Sequence, residues 1–124
     1  MKTRLFIFGT GAHACKVFHC AQACEYEVVG FVDENVVASS PILGMPVFHA
    51  TTLRAPTQGE AMFVAIGRAE VRMSLMDQMA AAGWKLPALV QPFAWVAPDA
   101  KLGSGVLVAA GAVVETASRV GRGV

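Results

Sequence analysis

The sequence predicts an α/β chain in two regimes: a parallel sheet covered by helices, then a short stack of triangular coils. Three observations predict it. Strand-like and helix-like segments alternate over residues 1–90, a six-residue apolar period takes over near Ala94, and a glycine-containing turn joins the first strand to the first helix. Alternating strands and helices imply parallel strands linked by right-handed crossovers.

The elements follow in order. Arg4–Phe8 is a short apolar run, as expected of a strand covered on both faces. Gly9–Ala12 is a turn, and His13–Ala23 has the length and composition of a helix. Glu27–Val32 is a β-branched-rich strand, Asp33–Pro41 a polar loop, Gly44–Phe48 an extended piece and Thr51–Arg54 a weak helix. Ala61–Ile66 is a further apolar strand. Glu70–Ala82 is the clearest helix, with Val71, Leu75, Met76 and Met79 on one face and Gly83 just past its end. Leu86–Val90 is the last strand of this first domain, residues 1–90.

In residues 91–124 the period is six. Val96, Leu102, Val108, Val114 and Val120 recur in phase, preceded at two residues by Ala94, Ala100, Val106, Ala112 and Ser118. Small residues follow four of the five. Three such strand-and-turn units close one triangular coil, so this stretch reads as the start of a left-handed parallel β-helix built from hexapeptide repeats. A helix is excluded because Gly103, Gly105, Gly111, Gly121 and Gly123 would each cost about 1 kcal/mol. The array stops mid-pattern at Gly123-Val124, which predicts either a continuing array or cover by another chain, since a bare coil end exposes strand edges.

Composition excludes several classes. The net charge is +1 over 124 residues, and no Lys/Arg cluster offers a nucleic-acid footprint. No stretch approaches the ~18 apolar residues of a membrane span. The run Leu5–Phe8 is shorter than the ~7–15 residues of a signal peptide core. Three cysteines, Cys15, Cys20 and Cys24, fall on one expected helix with no Cys-x-x-Cys pair. Packing as small hydrophobes in a cytoplasmic protein is favoured over a metal site.

The turn Gly9-Thr10-Gly11-Ala12-His13-Ala14 fits G-x-G-x-x-A in a Rossmann-like setting. Its glycines let the backbone approach a ligand, and the helix N-terminus offers free N–H groups to a phosphate. Asp33, followed by Glu34, closes the second strand and is placed to accept from ribose hydroxyls. Ile66-Gly67 should lie beside the first turn where strand order reverses, the crevice in which open α/β sheets bind ligands. Arg68 and Arg72 begin the following helix, and a solvated face is the plainer reading of Arg72. His13 suits a phosphate or sugar contact, or a helix cap. His19 and His49 have no supporting context. The turn also has a ligand-free reading, as a tight strand-to-helix connection.

These residues resemble the sugar O-/N-acyltransferases of the sialic acid O-acetyltransferase and UDP-amino-sugar N-acetyltransferase type. Gly9–Ala14 is similar to their G-x-G-G-H-A turn, and Tyr26–Glu34 to their second strand. Leu43-Gly44-Met45-Pro46-Val47, Ala65-Ile66-Gly67 and Gln91-Pro92 with Val96-Ala97-Pro98 resemble further family pieces, in the family's order. The chain departs from the pattern at Ala12, at Arg68, where an acidic residue is common, and at Ala69, where Asn is common.

The resemblance implies a UDP-sugar or related nucleotide sugar in the first domain, a homotrimer assembled through the β-helix, and acetyl-CoA between neighbouring β-helices. It also implies a histidine base on a later coil. No histidine follows His49, so no catalytic residue is assigned here, and neither tight acetyl-CoA binding nor acetyl transfer is expected of these 124 residues alone. Three readings compete: the substrate-holding part of an acyltransferase, a non-catalytic nucleotide-sugar module that oligomerises through its coils, and an NAD-binding protein. The hexads disfavour the last.

Overall fold

The computed structural model describes residues 2–35 and 42–124. The central sheet has four strands, β1 (Arg4–Phe8), β2 (Glu27–Asp33), β3 (Val47–His49) and β4 (Glu60–Val64), in the order β3-β2-β1-β4. All neighbours are parallel. Two helices cover it, α1 (Ala12–Ala23) and α2 (Ala69–Ala81). The α/β class with a parallel sheet is therefore the one the sequence predicts.

Alternation along the strands sorts the core into two layers. Leu5, Ile7, Phe31, Ala61 and Phe63 face α1, where Ala14, Val17, Phe18 and Ala21 meet them. Phe6, Phe8, Val32, Met62 and Val64 face the other way, toward Leu75 and Met76 of α2. Both faces are dry, which explains the continuous apolar runs. Met73 packs on the α2 face, whereas Val71, expected there, is exposed. Gly83 terminates the helix as expected, at φ +98°.

Several boundaries move. The expected weak helix is a single 3-10 turn at Ala50–Thr52, with the His49 ring accepting from the Thr51 N–H. Strand β4 begins one residue early, on Glu60, which is buried. Its carboxylate is held by Arg4, Arg54 and the Thr57 N–H at 2.7–2.8 Å. Most of the loop expected at Asp33–Pro41 lies outside the described residues.

The strand expected at Leu86–Val90 shrinks to its last two residues. Lys85 alone bridges to Ala61, extending the sheet beyond β4. Leu89–Val90 (β5) instead pairs with Leu107–Val108 (β8), in the coils. The other coil strands are Trp95–Val96 (β6), Lys101–Leu102 (β7), Val113–Val114 (β9) and Arg119–Val120 (β10). Strand β6 pairs in parallel with β9, and β7 with β10. Each partner lies eighteen residues on, three hexads later.

Burial follows the predicted phase. Val108 is buried and Val96, Leu102, Val114 and Val120 are half-buried, while Trp95, Lys101, Val113 and Arg119 beside them are exposed. No helix occurs in residues 94–124.

The coils seat against the sheet domain on both layers. Leu89 is fully buried in the α1 layer with Leu107 against it, and the Cys24 thiol donates to the Val90 carbonyl at 3.0 Å. On the other layer, Met76 of α2 meets the corner formed by Gly105 and Gly123.

Candidate functional site

Strand order reverses between β1 and β4, so a crevice opens where their carboxyl ends diverge. Gly9 leaves β1 at φ +128°, and its N–H is donated to the Val32 carbonyl at 2.8 Å. A Cβ there would lie 2.6 Å from the Ala65 carbonyl oxygen. Gly9 is thus required by the fold, and it places the first turn directly against the end of β4 and Ile66.

Gly11 and Gly67 differ from Gly9. A Cβ added at either meets nothing within 4 Å, and Gly11 has an ordinary φ of −87°. Neither is demanded by packing.

The helices that start here are uncapped. Gly11 precedes α1 and Arg68 precedes α2, and neither supplies a side-chain cap. The first-turn N–H groups of α1, on Ala12, His13 and Ala14, have no intrahelical acceptor. They and the positive end of the helix dipole present an anion-attracting surface. Arg68 stands exposed at the mouth, 4.0 Å from Glu70.

Asp33 closes β2 on the other side of the first turn. Its Oδ2 accepts from the Thr10 hydroxyl at 2.5 Å, and its Oδ1 from the Asn35 N–H at 3.0 Å. Burial raises its pKa, but these hydrogen bonds, one from Glu34, and attraction to His49 outweigh burial and hold the carboxyl below its ordinary value. Asp33 is an anion here, with acceptor capacity left over. Glu34 is exposed beside it.

His13 sits in the first turn of α1. Burial, then the positive charges of Lys16 and Arg72, lower its pKa and favour the neutral imidazole. It lines a cavity of about 200 Å³ with Phe63, Val64, Arg72, Gly105, Leu107, Gly123 and Val124, in the seam between sheet and coils. A larger hollow of about 500 Å³ lies at the opposite, amino end of β1 and β2, lined by residues such as Lys2, Arg4 and Tyr26.

The structure joins Thr10 to Asp33 by a hydrogen bond and sets Gly9 against Ala65 and Ile66, whereas His13 lines the seam cavity, Glu34 lies with Glu70, Ser74 and Leu75, and Arg68 is exposed. Two neighbours escaped sequence reasoning. Arg72 is not a solvated residue: its Nε donates to the Gly123 carbonyl at 2.8 Å, and its Nη1 to those of Ile66 at 2.8 Å and Gly67 at 3.2 Å. The available signal was its spacing, three and four residues before the inward Leu75 and Met76. His49 pairs in register with Asp33 at the sheet edge, a proximity no local pattern announces.

Among the described residues no group of three His, Cys, Asp or Glu side chains is placed to hold a metal, and no helix is long and apolar enough to cross a membrane. The three cysteines are free thiols, with Cys20 buried.

Comparison with known proteins agrees with the fold. PerB from Caulobacter crescentus, solved with CoA and GDP-perosamine, is 34% identical over 95% of this chain, with a TM-score of 0.82. A histidine-to-asparagine variant of the Caulobacter perosamine N-acetyltransferase, with the same ligands, is 33% identical over 96%, with a TM-score of 0.84. The acetyltransferase domain of PglB from Neisseria gonorrhoeae, solved with acetyl coenzyme A, is 30% identical over 99%, with a TM-score of 0.83. The chain spans 56%, 57% and 60% of those structures respectively. No curated protein gives a significant match. The family described as the PglD N-terminal domain matches residues 4–79. The chain belongs to that family, among the sugar N-acyltransferases.

Proposed function

We propose that this chain is the nucleotide-sugar-holding portion of an acetyl-CoA-dependent sugar acyltransferase. The observation that carries the reading is the contrast among the crevice glycines: Gly9 is closed in by the Ala65 carbonyl, whereas Gly11 and Gly67 border empty space that the fold does not need. That space lies before the uncapped N-terminus of α1. A diphosphate fits there, taking the N–H groups of the first turn, with neutral His13 as a hydrogen-bonding partner and Asp33 accepting from the ribose. UDP and GDP sugars share this diphosphate chemistry, and the GDP-perosamine held by PerB supports the class.

The residues before Leu89 are read as the nucleotide-sugar domain, and those from Leu89, whose strand pairs with Leu107–Val108, as the start of a left-handed β-helix of hexapeptide repeats. The coil residues include no histidine, so proton transfer during acyl transfer is assigned outside them. Trp95 and Val113 are register partners on an outer coil face, and with Phe93 they leave an exposed apolar stripe. That stripe supports contact with further copies of the chain, the trimer the resemblance implies. The free thiols fit a cytoplasmic setting.

Calorimetry with UDP, GDP and NAD tests the reading. UDP or GDP should bind, and Gly11→Trp should abolish binding by filling the phosphate space. Because a Cβ at Gly11 meets nothing, the variant should fold normally. Tight NAD binding without UDP or GDP binding would overturn the assignment.

A further inference from the structure

Arg72 has an unusual set of partners. One guanidinium bonds three carbonyls: those of Ile66 and Gly67, which form one wall of the crevice, and that of Gly123, which lies in the coils. Among the described residues it makes no ion pair with a carboxylate, so its role is the joint itself. An arginine fork suits this use, because its donors are held in one rigid plane.

The coil side of the joint is shaped to receive α2. Gly105 and Gly123 lie eighteen residues apart, at the same corner of successive coils, and both have positive φ. A Cβ at Gly105 would lie 2.7 Å from the Met76 methyl carbon, and one at Gly123 would lie 2.8 Å from the Met73 sulfur. The glycine corner thus admits the methionine face of α2, and Arg72 closes the contact next to His13.

We propose that Arg72 is a positioning residue for the nucleotide-sugar site, pinning the Ile66-Gly67 turn to the Gly123 corner so that a ligand in the crevice is held at one fixed place relative to the coils. The pin deepens the binding reading above and rests on it for its functional meaning. It predicts that the crevice and the coil corner loosen together when the fork is removed.

The test compares Arg72→Met and Arg72→Lys with the unaltered chain, each checked for cooperative unfolding. Three measurements are made: amide hydrogen exchange at Gly123 and Leu107, the His13 titration by NMR, and calorimetric affinity for UDP and for GDP. Arg72→Met should speed exchange at both amides about tenfold, raise the His13 titration toward its ordinary range, and weaken nucleotide binding at least tenfold. Arg72→Lys keeps the charge but not the fork. It should leave His13 titrating low while exchange and affinity remain impaired.

Unchanged exchange in Arg72→Met would overturn the pin, as would full recovery of affinity and exchange by lysine, which would reduce Arg72 to a charge. If the unaltered chain binds neither UDP nor GDP, the binding reading fails. The exchange measurements then decide the pin by themselves.

Discussion

The sheet domain and the coils are built from the same parallel pairing, yet they are held together differently. In the sheet, Leu5, Ile7, Phe31 and Met62 are wholly buried between two helical layers. In the coils, only Val106 and Val108 of the inward residues are buried, and Val96, Leu102, Val114 and Val120 are half-exposed. The cross-section enclosed by three two-residue strands is too narrow to shield them fully.

Polar staples add to the ladder where burial is thin. Asp99 accepts from the Thr116 hydroxyl and from the Ala117 N–H across to the next coil. The Gln91 side chain accepts from the Ala110 N–H at 2.7 Å, and Arg122 reaches Asp77 on α2. The lesson is that burial stabilises the sheet domain, while hydrogen bonds and docking carry more of the load in the coils.

The sharpest way to break this contrast is to cut the sheet core. Phe63→Ala should cost about 3–5 kcal/mol in urea unfolding, as expected for a buried aromatic. A loss below about 1 kcal/mol would mean the sheet domain is packed no better than the coils.

The next test is the one charge buried in the sheet. Hydrogen bonding from Arg54 leads the causes that bring Glu60 from 4.5 down to about 2. Its native pKa lies below the unfolded one, so its stabilisation is full above about pH 4.5 and is lost as pH falls toward 2. Glu60→Gln should cost about 1–3 kcal/mol at pH 7, since its arginine partners lose a charged acceptor. The difference from the unaltered chain should shrink on acidification. A difference independent of pH between 5 and 2 would exclude the ion pairs as its source.

Coil changes should weigh less. Val114→Ala removes half-buried methyl groups and should cost about 1 kcal/mol, roughly half the value for a fully buried valine. An effect as large as that of Phe63→Ala would show the coil interior to be a core in its own right. The smallest change is expected for Asp99→Asn, which keeps an acceptor for Thr116. It should lower the unfolding midpoint slightly at pH 7 and not at all once the acid form of Asp99 prevails.

Legibility in the sequence followed the same division. Continuous runs gave β1, β2 and β4, and the α2 stop at Gly83 was readable because only a left-handed backbone fits there. The six-residue period was visible too, and the structure answers it with parallel pairing at eighteen residues. Its first member was not visible: Val90 lies six residues before Val96, but the apolar stretch at Leu86–Val90 imitates a sheet strand. Glu60 was hidden because a lone Glu at a strand start reads as solvated, and one of its partners, Arg4, is fifty-six residues away. The turn glycines stand out by motif, yet that Gly9 is closed in while Gly11 and Gly67 are open depends on the Ala65 carbonyl, a backbone atom without a sequence signature. Arg72 was misjudged for the same reason, since all three of its acceptors are carbonyls.

The eighteen-residue spacing of the coil strands sets rules for changes in length. On the proposed β-helix, inserting eighteen residues keeps every inward side chain in phase and returns each corner to its own side. Inserting a single hexad also keeps the inward phase, but it turns all later corners by one side. Placed between Gly105 and Gly123, it would leave the coil interior intact and carry Gly123 away from Met73 and Arg72. Length changes of six and eighteen residues therefore uncouple two properties that point substitutions cannot separate, the stacking of the coils and their orientation toward the ligand crevice.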